Sequence, residues 1–428
     1  MSLIGRLVDK LLKQGSITLL MPGKPPRTFG PGGGEHLTLR LADRATALKI
    51  ARNPRLGVGE AYMDGRLTVE DGTILDLMRL IVGANPWEAG GSGRKALRKG
   101  KKLFGALWRR NPAKRARKNV AHHYDIGNDL YRLFLDDDLQ YSCAYFTDPA
   151  NSLEQAQLDK KAHIAAKLHL EPGQHVLDIG CGWGGTALYL NRVAGVKVTG
   201  VTLSEEQIKV ARERAAAAGV ADQVKFELID YRHVEGQFDR IVSIGMFEHV
   251  GAAHYEEFFA KCRELLTPDG VMLLHTIGKY GKASAPDPFT DKYVFPGYHL
   301  PSLSQLTAAC EKVRLITTDI ETLRLHYAYT LSAWLERTQR HKAQIVALYD
   351  EHFFRMWEFY LAGGIVGFEL GTMCNYQLQY VRNRNALPIT RDYMLETERR
   401  YREAGGEPAA AKKPRVSSRR KATSPFAA

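Results

Sequence analysis

Val176-Leu-Asp-Ile-Gly-Cys-Gly-Trp-Gly-Gly185 is an apolar run that carries Asp178 near its end and then places glycine at 180, 182, 184 and 185 before a helical pattern resumes. A ligand-binding crevice opens in this way at the carboxyl end of a first strand. Glycine lets the backbone approach a nucleoside, and the free N–H groups of the next helix favour the negative end of a ligand. A Gly-x-Gly-x-x-Gly spacing alone is shared with dinucleotide-binding folds, so the neighbouring elements must decide. Outward from the loop, strand-like stretches at 175–180, 197–203, 224–230, 238–246 and 270–278 alternate with helical patterns across residues 119 to 323. The alternation predicts an α/β fold with a doubly wound, Rossmann-like sheet.

A dinucleotide enzyme wants an acid at the end of the second strand to hold the ribose. Here that strand ends Gly200-Val-Thr-Leu-Ser-Glu-Glu-Gln207, rich in hydroxyl and amide groups. Ser204 and its followers also read as a helix cap with a capping-box partner, and both roles can hold together. Asp230-Tyr-Arg232 follows the third strand. In the form Asp-x-Gly-x-Gly-x-Gly the loop resembles the class I methyltransferase signature. That resemblance implies S-adenosylmethionine as the ligand, with its carboxylate near the helix start and Tyr231 and Arg232 near the adenine.

A chain of 428 residues with 44% hydrophobic content can bury a large core in two or three units. Residues 1–87 mix short strands, such as Leu37-Thr-Leu-Arg-Leu41, with short helices, and read as a small α+β accessory domain. Residues 88–118 carry Gly90, Gly91 and Gly93, then twelve Lys and Arg with no acid after Glu88, and read as a basic flexible linker. Residues 119–400 hold the cofactor-binding domain, helical and aromatic beyond Tyr327. Residues 401–428 read as a disordered basic tail. The N-terminal Leu3, Ile4, Leu7, Val8, Leu11 and Leu12 share one helix face, for which packing on its own domain outranks lying in a lipid interface. No stretch is apolar enough to span a bilayer. Five widely spaced cysteines without a metal-ligand pattern fit a reduced cytosol and no metal. The net charge of +13 favours a polyanionic partner, either nucleic acid or an anionic lipid surface. No base-flipping motif or RNA-binding module supports the former.

Five further blocks narrow the class: Tyr141-Ser-Cys-Ala-Tyr-Phe146, Met246-Phe-Glu-His-Val-Gly251, Leu274-His-Thr-Ile-Gly278, Lys292-Tyr-Val-Phe-Pro-Gly297 and His326-Tyr-Ala-Tyr-Thr-Leu331. With the glycine loop they are similar to the cyclopropane-fatty-acyl-phospholipid synthase family, which includes the mycolic acid cyclopropane synthases. The likeness covers roughly 119 to 370, and Gly59-Glu-Ala-Tyr-Met-Asp-Gly65 resembles the accessory domain of the longer bacterial members. Two departures stand out: Tyr298-His299 where many members have a second glycine, and a longer chain after Glu369 through Tyr376, Tyr380 and Arg382.

The resemblance implies transfer of a methylene group from S-adenosylmethionine to a cis double bond of a phospholipid acyl chain. A weakly nucleophilic alkene must be held in line with the sulfonium methyl. The resulting cation must lose a proton from the added methyl, away from water. In the family the base is a bicarbonate ion; its ligands carry over to the backbone amides of Cys143 and Ile277 and the side chains of Glu248, His275 and Tyr327. Singly each has a bland reading: a buried thiol, a helix start, a core histidine, an aromatic helix face. Their joint occurrence outweighs it, and Tyr327 is preferred to Tyr329 by its place in His-Tyr-Ala-x-Thr-Leu. The cofactor contacts implied are Tyr141, Ser142, Asp178, Gly180, Cys181, Gly182, Gly184, Thr202, Leu203, Ser204, Gln207, Tyr231 and Arg232. His123-Tyr-Asp125 and Asn128 belong to a lid, and Phe289, Tyr293 and Phe295 to the acyl channel. A relative that leaves a methyl or methylene branch is the alternative. The expected setting is cytoplasmic, on the inner face of an anionic phospholipid membrane, without nucleic acid, and a homodimer by analogy with the family.

Overall fold

The computed structural model describes residues 3–84, 86–89 and 127–404. Helix α1 (Leu3–Leu11) turns its apolar stripe inward, burying Ile4 and Val8 and exposing Arg6, Asp9 and Lys10. Strands β1 (Gly15–Met21), β2 (Lys24–Gly32) and β3 (His36–Leu41), helices α2 (Arg44–Arg52) and α3 (Pro54–Met63), strand β4 (Leu67–Val69) and helix α4 (Ile74–Gly83) complete the N-terminal unit. Its sheet runs β2-β1-β3-β4. Pro25 and Pro26, which have no N–H to give a ladder, fall on the edge strand β2. Asp43 caps α2, and a reciprocal Thr73–Asp76 box caps α4.

Helices α5 (Asn128–Phe134) and α6 (Leu153–Lys167) lead into the larger sheet. There follow β5 (His175–Ile179), α7 (Gly185–Ala194), β6 (Lys197–Thr202), α8 (Glu205–Ala217), β7 (Val224–Leu228), β8 (Phe238–Ile244), α9 (Tyr255–Leu265) and β9 (Leu266–Lys279). The chain ends with α10 (Pro288–Tyr293), α11 (Leu303–Lys312), β10 (Ile316–Leu323), α12 (His326–Arg340), α13 (Lys342–Leu348), α14 (Glu351–Glu369), β11 (Met373–Val381) and α15 (Asp392–Ala404). The strand order is β10-β11-β9-β8-β5-β6-β7, with β9 to β7 parallel and β11 antiparallel between β9 and β10. This is the doubly wound sheet read from the alternation. The chain leaves β5 for β6 and β7, then crosses to β8 on the other side, so a crevice opens at the carboxyl ends of β5 and β8.

Two expectations need correction. The region beyond Tyr327 is not helical throughout, because Met373–Val381 forms strand β11, paired with residues 271–279 of β9. Residues 401–404, expected in the disordered tail, continue α15, where Tyr401 is buried and its carbonyl accepts a hydrogen bond from the Tyr189 hydroxyl at 3.0 Å. The basic stretch after residue 89 and the chain from residue 405 lie outside the described residues.

One apolar core runs through both units, from Ile4 and Leu19 through Leu77 to Trp334 and Trp357. At the junction, a Cβ on Gly59 would come within 2.4 Å of Phe289, so only glycine lets α3 lie this close to α10. Glu60 beside it takes Lys292 at 2.8 Å, Lys49 at 2.9 Å and the Tyr293 hydroxyl at 2.9 Å. Arg79 of α4 grips Glu369 through two hydrogen bonds of 2.9 and 2.7 Å.

Candidate active site at the switch point

The residues after β5, β6, β7 and β8 and the loop before α6 converge on one cavity at the crevice. Every residue expected at the cofactor lines it except Gly184 and Ser204. Gly184 has φ of 82° and packs where a Cβ would sit 2.6 Å from Phe226, while Ser204 caps α8 by accepting from Gln207 N at 3.3 Å. Gly180 is required twice over, by a φ of 84° and by Met246, whose Cβ lies 2.8 Å from where its own would be. Burial pushes the Asp178 carboxyl up to about 7, against the pull of Lys160, and its Oδ2 has no hydrogen-bond partner among the described residues. Asp230 pairs with Arg232 at 2.7 Å, which sets the guanidinium over the Tyr231 ring. Trp183, within the expected loop, lines the cavity as well, and Gln140, Gly245 and Met246 also line it and were missed. The switch-point rule points to Gly245 and Met246, since they follow the fourth strand.

A second cavity of about 390 Å³ abuts the first, sharing Tyr141, Ser142, Gly245 and His249 as a common wall. Cys143, Glu248, His275, Ile277 and Tyr327 all line it. Period-two alternation explains the floor: His275, Ile277 and Lys279 of β9 face the same side, paired across the ladder with Gln377, Asn375 and Met373 of β11. The roof is the α14 face bearing Gly363, Gly364 and Gly367. Phe289 and Phe295 line this space, whereas Tyr293 spends its hydroxyl on Glu60. Tyr298 lines it too and accepts from Asp287 N at 2.9 Å. Tyr329 lies at the surface, while Tyr327 is buried. Asn128 accepts a hydrogen bond from the Trp183 indole at 2.8 Å, and His123 to Asp125 lie outside the described residues.

Glu248 sits in the turn after β8. Its Oε1 accepts from Ile277 N at 2.6 Å, and its Oε2 is buried without a partner among the described residues. Burial raises this carboxyl to about 7, the Ile277 amide holding it back only in part. The Ile277 amide, expected to hold a bicarbonate, is thus occupied by Glu248. Burial also lowers His249 to about 4 and keeps His275 neutral, far below its ordinary value, with the cations Lys160 and Lys167 adding to the effect. Burial drives the Cys143 thiol upward, so it is no base.

The proton on His275 can be placed by its neighbours. The Lys167 ammonium donates to Gln377 Oε1 at 2.9 Å, so the Gln377 amide nitrogen faces His275 Nδ1, 3.1 Å away. An amide nitrogen only donates; Nδ1 therefore accepts, and Nε2 carries the proton. The Asn375 carboxamide lies 2.9 Å from Nε2 and receives that proton through its oxygen after a half-turn of the amide. Below, the fully buried Lys160 donates to Gln140 Oε1 at 2.6 Å and Ser142 Oγ at 2.9 Å, fixing the wall between the cavities. Burial draws its ammonium down to about 8 despite Asp136 nearby.

The profile of the mycolic acid cyclopropane synthetase family matches residues 111–378, which include every lining residue of both cavities except Arg55 and Met78. The chain belongs to this family. Across members, it is 39% identical over 390 residues to a cyclopropane-fatty-acyl-phospholipid synthase of Escherichia coli, covering 90% of this chain and 96% of that one. It is 42% identical over 287 residues to a probable fatty acid methyltransferase of Pseudomonas putida, covering 64% and 73%. Among solved family structures, the mycolic acid cyclopropane synthase CmaA1 in complex with SAH and CTAB superimposes with a TM-score of 0.59 at 34% identity, covering 62% of this chain and 97% of that one.

Proposed function

We propose that the protein is an S-adenosylmethionine-dependent cyclopropane-fatty-acyl-phospholipid synthase. The observation that carries the reading is Glu248: a buried carboxyl with an unpartnered oxygen, where a nucleoside-sized crevice meets a largely apolar cavity. The Asp178 Oδ2, unpartnered among the described residues, and the open space beside Gly182, where an added Cβ would meet nothing within 4 Å, suit S-adenosylmethionine, whose chemistry when bound is an electrophilic sulfonium methyl. Tyr141, Ser142, Gly245 and His249 bring the two ligands into reach across their shared wall. Phe289, Phe295 and Tyr360 line the second cavity, where apolar rings exclude water and can shield the cation that develops on the acyl chain.

A bicarbonate in the second cavity supplies the proton acceptor in this reading. A protonated Glu248 Oε2, the Tyr327 hydroxyl and the Cys143 amide would hold such an oxyanion; the proton on His275 Nε2 joins them only by turning from Asn375, and the Ile277 amide only when Glu248 releases it. Among the described residues no helix is long and apolar enough to cross a membrane. The +13 charge and the Lys/Arg-rich stretch from Arg94 to Lys118 support work at an anionic bilayer surface. A second reading, a methyl- or methylene-branched product, is favoured by the relative named a fatty acid methyltransferase.

The test is product analysis with cis-unsaturated phosphatidylglycerol vesicles and S-adenosylmethionine. The reading expects adenosylhomocysteine release and a cyclopropane in place of the double bond. A branched chain would establish the second reading, and turnover only on RNA or DNA would overturn both.

A further inference from the structure

The acyl cavity has a charged end that the reaction does not use. Lys279 closes β9 on the face that carries His275, and four residues at roughly 3.3 Å each separate the two by about 13 Å. That span is comparable with the length of chain between the ester and a mid-chain double bond. The Lys279 ammonium rests on Ser284 Oγ at 2.8 Å, and burial draws its pKa down, with Arg55 adding to the effect and Asp287 opposing it. Arg55 comes from α3 of the N-terminal unit and is exposed, 3.4 Å from Asp287 Oδ2. Asp287 is itself committed to capping α10, its Oδ1 accepting from Phe289 N and Thr290 N. All three line the same cavity, whose walls are otherwise largely apolar: Met78, Phe289, Phe295, Leu300 and Phe359.

We propose that Arg55 and Lys279 bind the phosphodiester of a phospholipid whose acyl chain fills this cavity, so that the N-terminal unit supplies part of the substrate site. This rests on the acyl-lipid reading above. Two cations face one carboxylate, which leaves a positive charge for an incoming anion. The Arg55–Asp287 pair is single, long and solvent-exposed, and such pairs contribute little, so a phosphate displaces Asp287 at small cost. A guanidinium forks onto two phosphate oxygens while an ammonium adds a point charge. Met78 from the same unit packs beside Gly363, which continues the N-terminal contribution into the apolar wall.

The experiment uses the full chain and compares vesicles of cis-unsaturated phosphatidylglycerol with methyl oleate in non-ionic micelles, which lacks phosphate. The double variant Arg55→Gln/Lys279→Gln is expected to raise KM on vesicles on the order of tenfold, the scale of losing charge-assisted hydrogen bonds. Its turnover of methyl oleate and its S-adenosylmethionine affinity should stay at the wild-type level. Lys10→Gln/Arg44→Gln, an equal charge change on the exposed surface of the same unit, should leave KM unchanged. Asp287→Asn keeps the cap and should lower KM on vesicles. Inorganic phosphate should compete with vesicles in the wild type and not in the double variant. Equal losses on both lipids, an equal loss in the surface variant, or an unchanged KM would overturn the phosphodiester site. Absence of wild-type turnover on both lipids would instead overturn the acyl-lipid reading, and this inference with it.

Discussion

Glu248 illustrates how a buried carboxyl acts against the fold that holds it. An unfolded glutamate ionises near 4.5, whereas burial keeps this one protonated to about 7. The folded state binds the proton more tightly, so the cost of Glu248 is absent below pH 4.5, grows between 4.5 and 7, and is complete above. By the usual conversion the shift is worth on the order of 3 kcal/mol. Glu248→Gln keeps an oxygen for the Ile277 amide, so it should melt above wild type at pH 8, with the gap closing toward pH 5, while losing most turnover and keeping S-adenosylmethionine affinity. Calorimetry at the two pH values checks this; a gap independent of pH would show that ionisation is not the cause. The His275 proton gives a second test. Gln377→Glu puts an acceptor against Nδ1 and should move the proton there, seen directly in the nitrogen-15 spectrum of His275, with turnover down by roughly a hundredfold. Unchanged imidazole shifts would refute the placement. Glu248 and His275 stand out in the sequence only through the motifs that carry the family resemblance, since alone each reads as structural. Gln377 and Asn375 do not stand out: polar residues alternating in Asn375-Tyr-Gln-Leu-Gln379 look like the solvated face of a strand, yet they lie buried beside His275 and Lys167.

At the scale of elements, the apolar strands β5, β6, β8 and β9 were legible because both of their faces are largely covered, and the edge strand β7 by the alternation of Val224-Lys-Phe-Glu-Leu228, while β10 and β11 were hidden by their own polarity. Ile-Thr-Thr-Asp-Ile-Glu-Thr-Leu is an edge strand with exposed Ile316 and Ile320, and β11 resembles it although it lies inside the sheet. The N-terminal edge strand β2 was likewise masked by its prolines. Helix α14 makes a sharper case, because its glycines weaken the helix and make room in the cavity at the same time. A Cβ on Gly363 would meet nothing closer than Met78 at 3.9 Å. Gly363→Ala should therefore stabilise the protein by about 0.5–1 kcal/mol through helix propensity and leave turnover intact. Gly363→Leu projects a branched side chain into the acyl space and should cut turnover of oleoyl lipid on the order of tenfold or more. S-adenosylmethionine affinity should be unchanged in both. Equal turnover in the alanine and leucine variants would mean that this face of α14 does not bound the acyl chain.

For the molecule as a whole, the question is what keeps the N-terminal unit seated on the cavity it helps to form. The apolar core that spans both units supplies most of the attachment, and Glu60 supplies its orientation. Burial alone would raise the Glu60 carboxyl, but Lys292, Lys49 and Tyr293 outweigh it and hold the group at about 2. A depressed value of this kind stabilises the fold fully above the unfolded value of 4.5 and is lost as pH falls through 2. Both lysines are about half exposed, so salt weakens the contribution further. Glu60→Gln should leave the larger sheet intact and increase deuterium exchange across α3, residues 54–63, with a loss of vesicle turnover as Arg55 leaves the cavity rim. The difference in unfolding free energy between wild type and variant should be full at pH 7 and reduced at pH 3. An equal difference at both pH values would place the effect in packing around Gly59 and Phe289 rather than in the charge. Unchanged exchange in α3 would mean that the shared apolar core alone holds the two units in register.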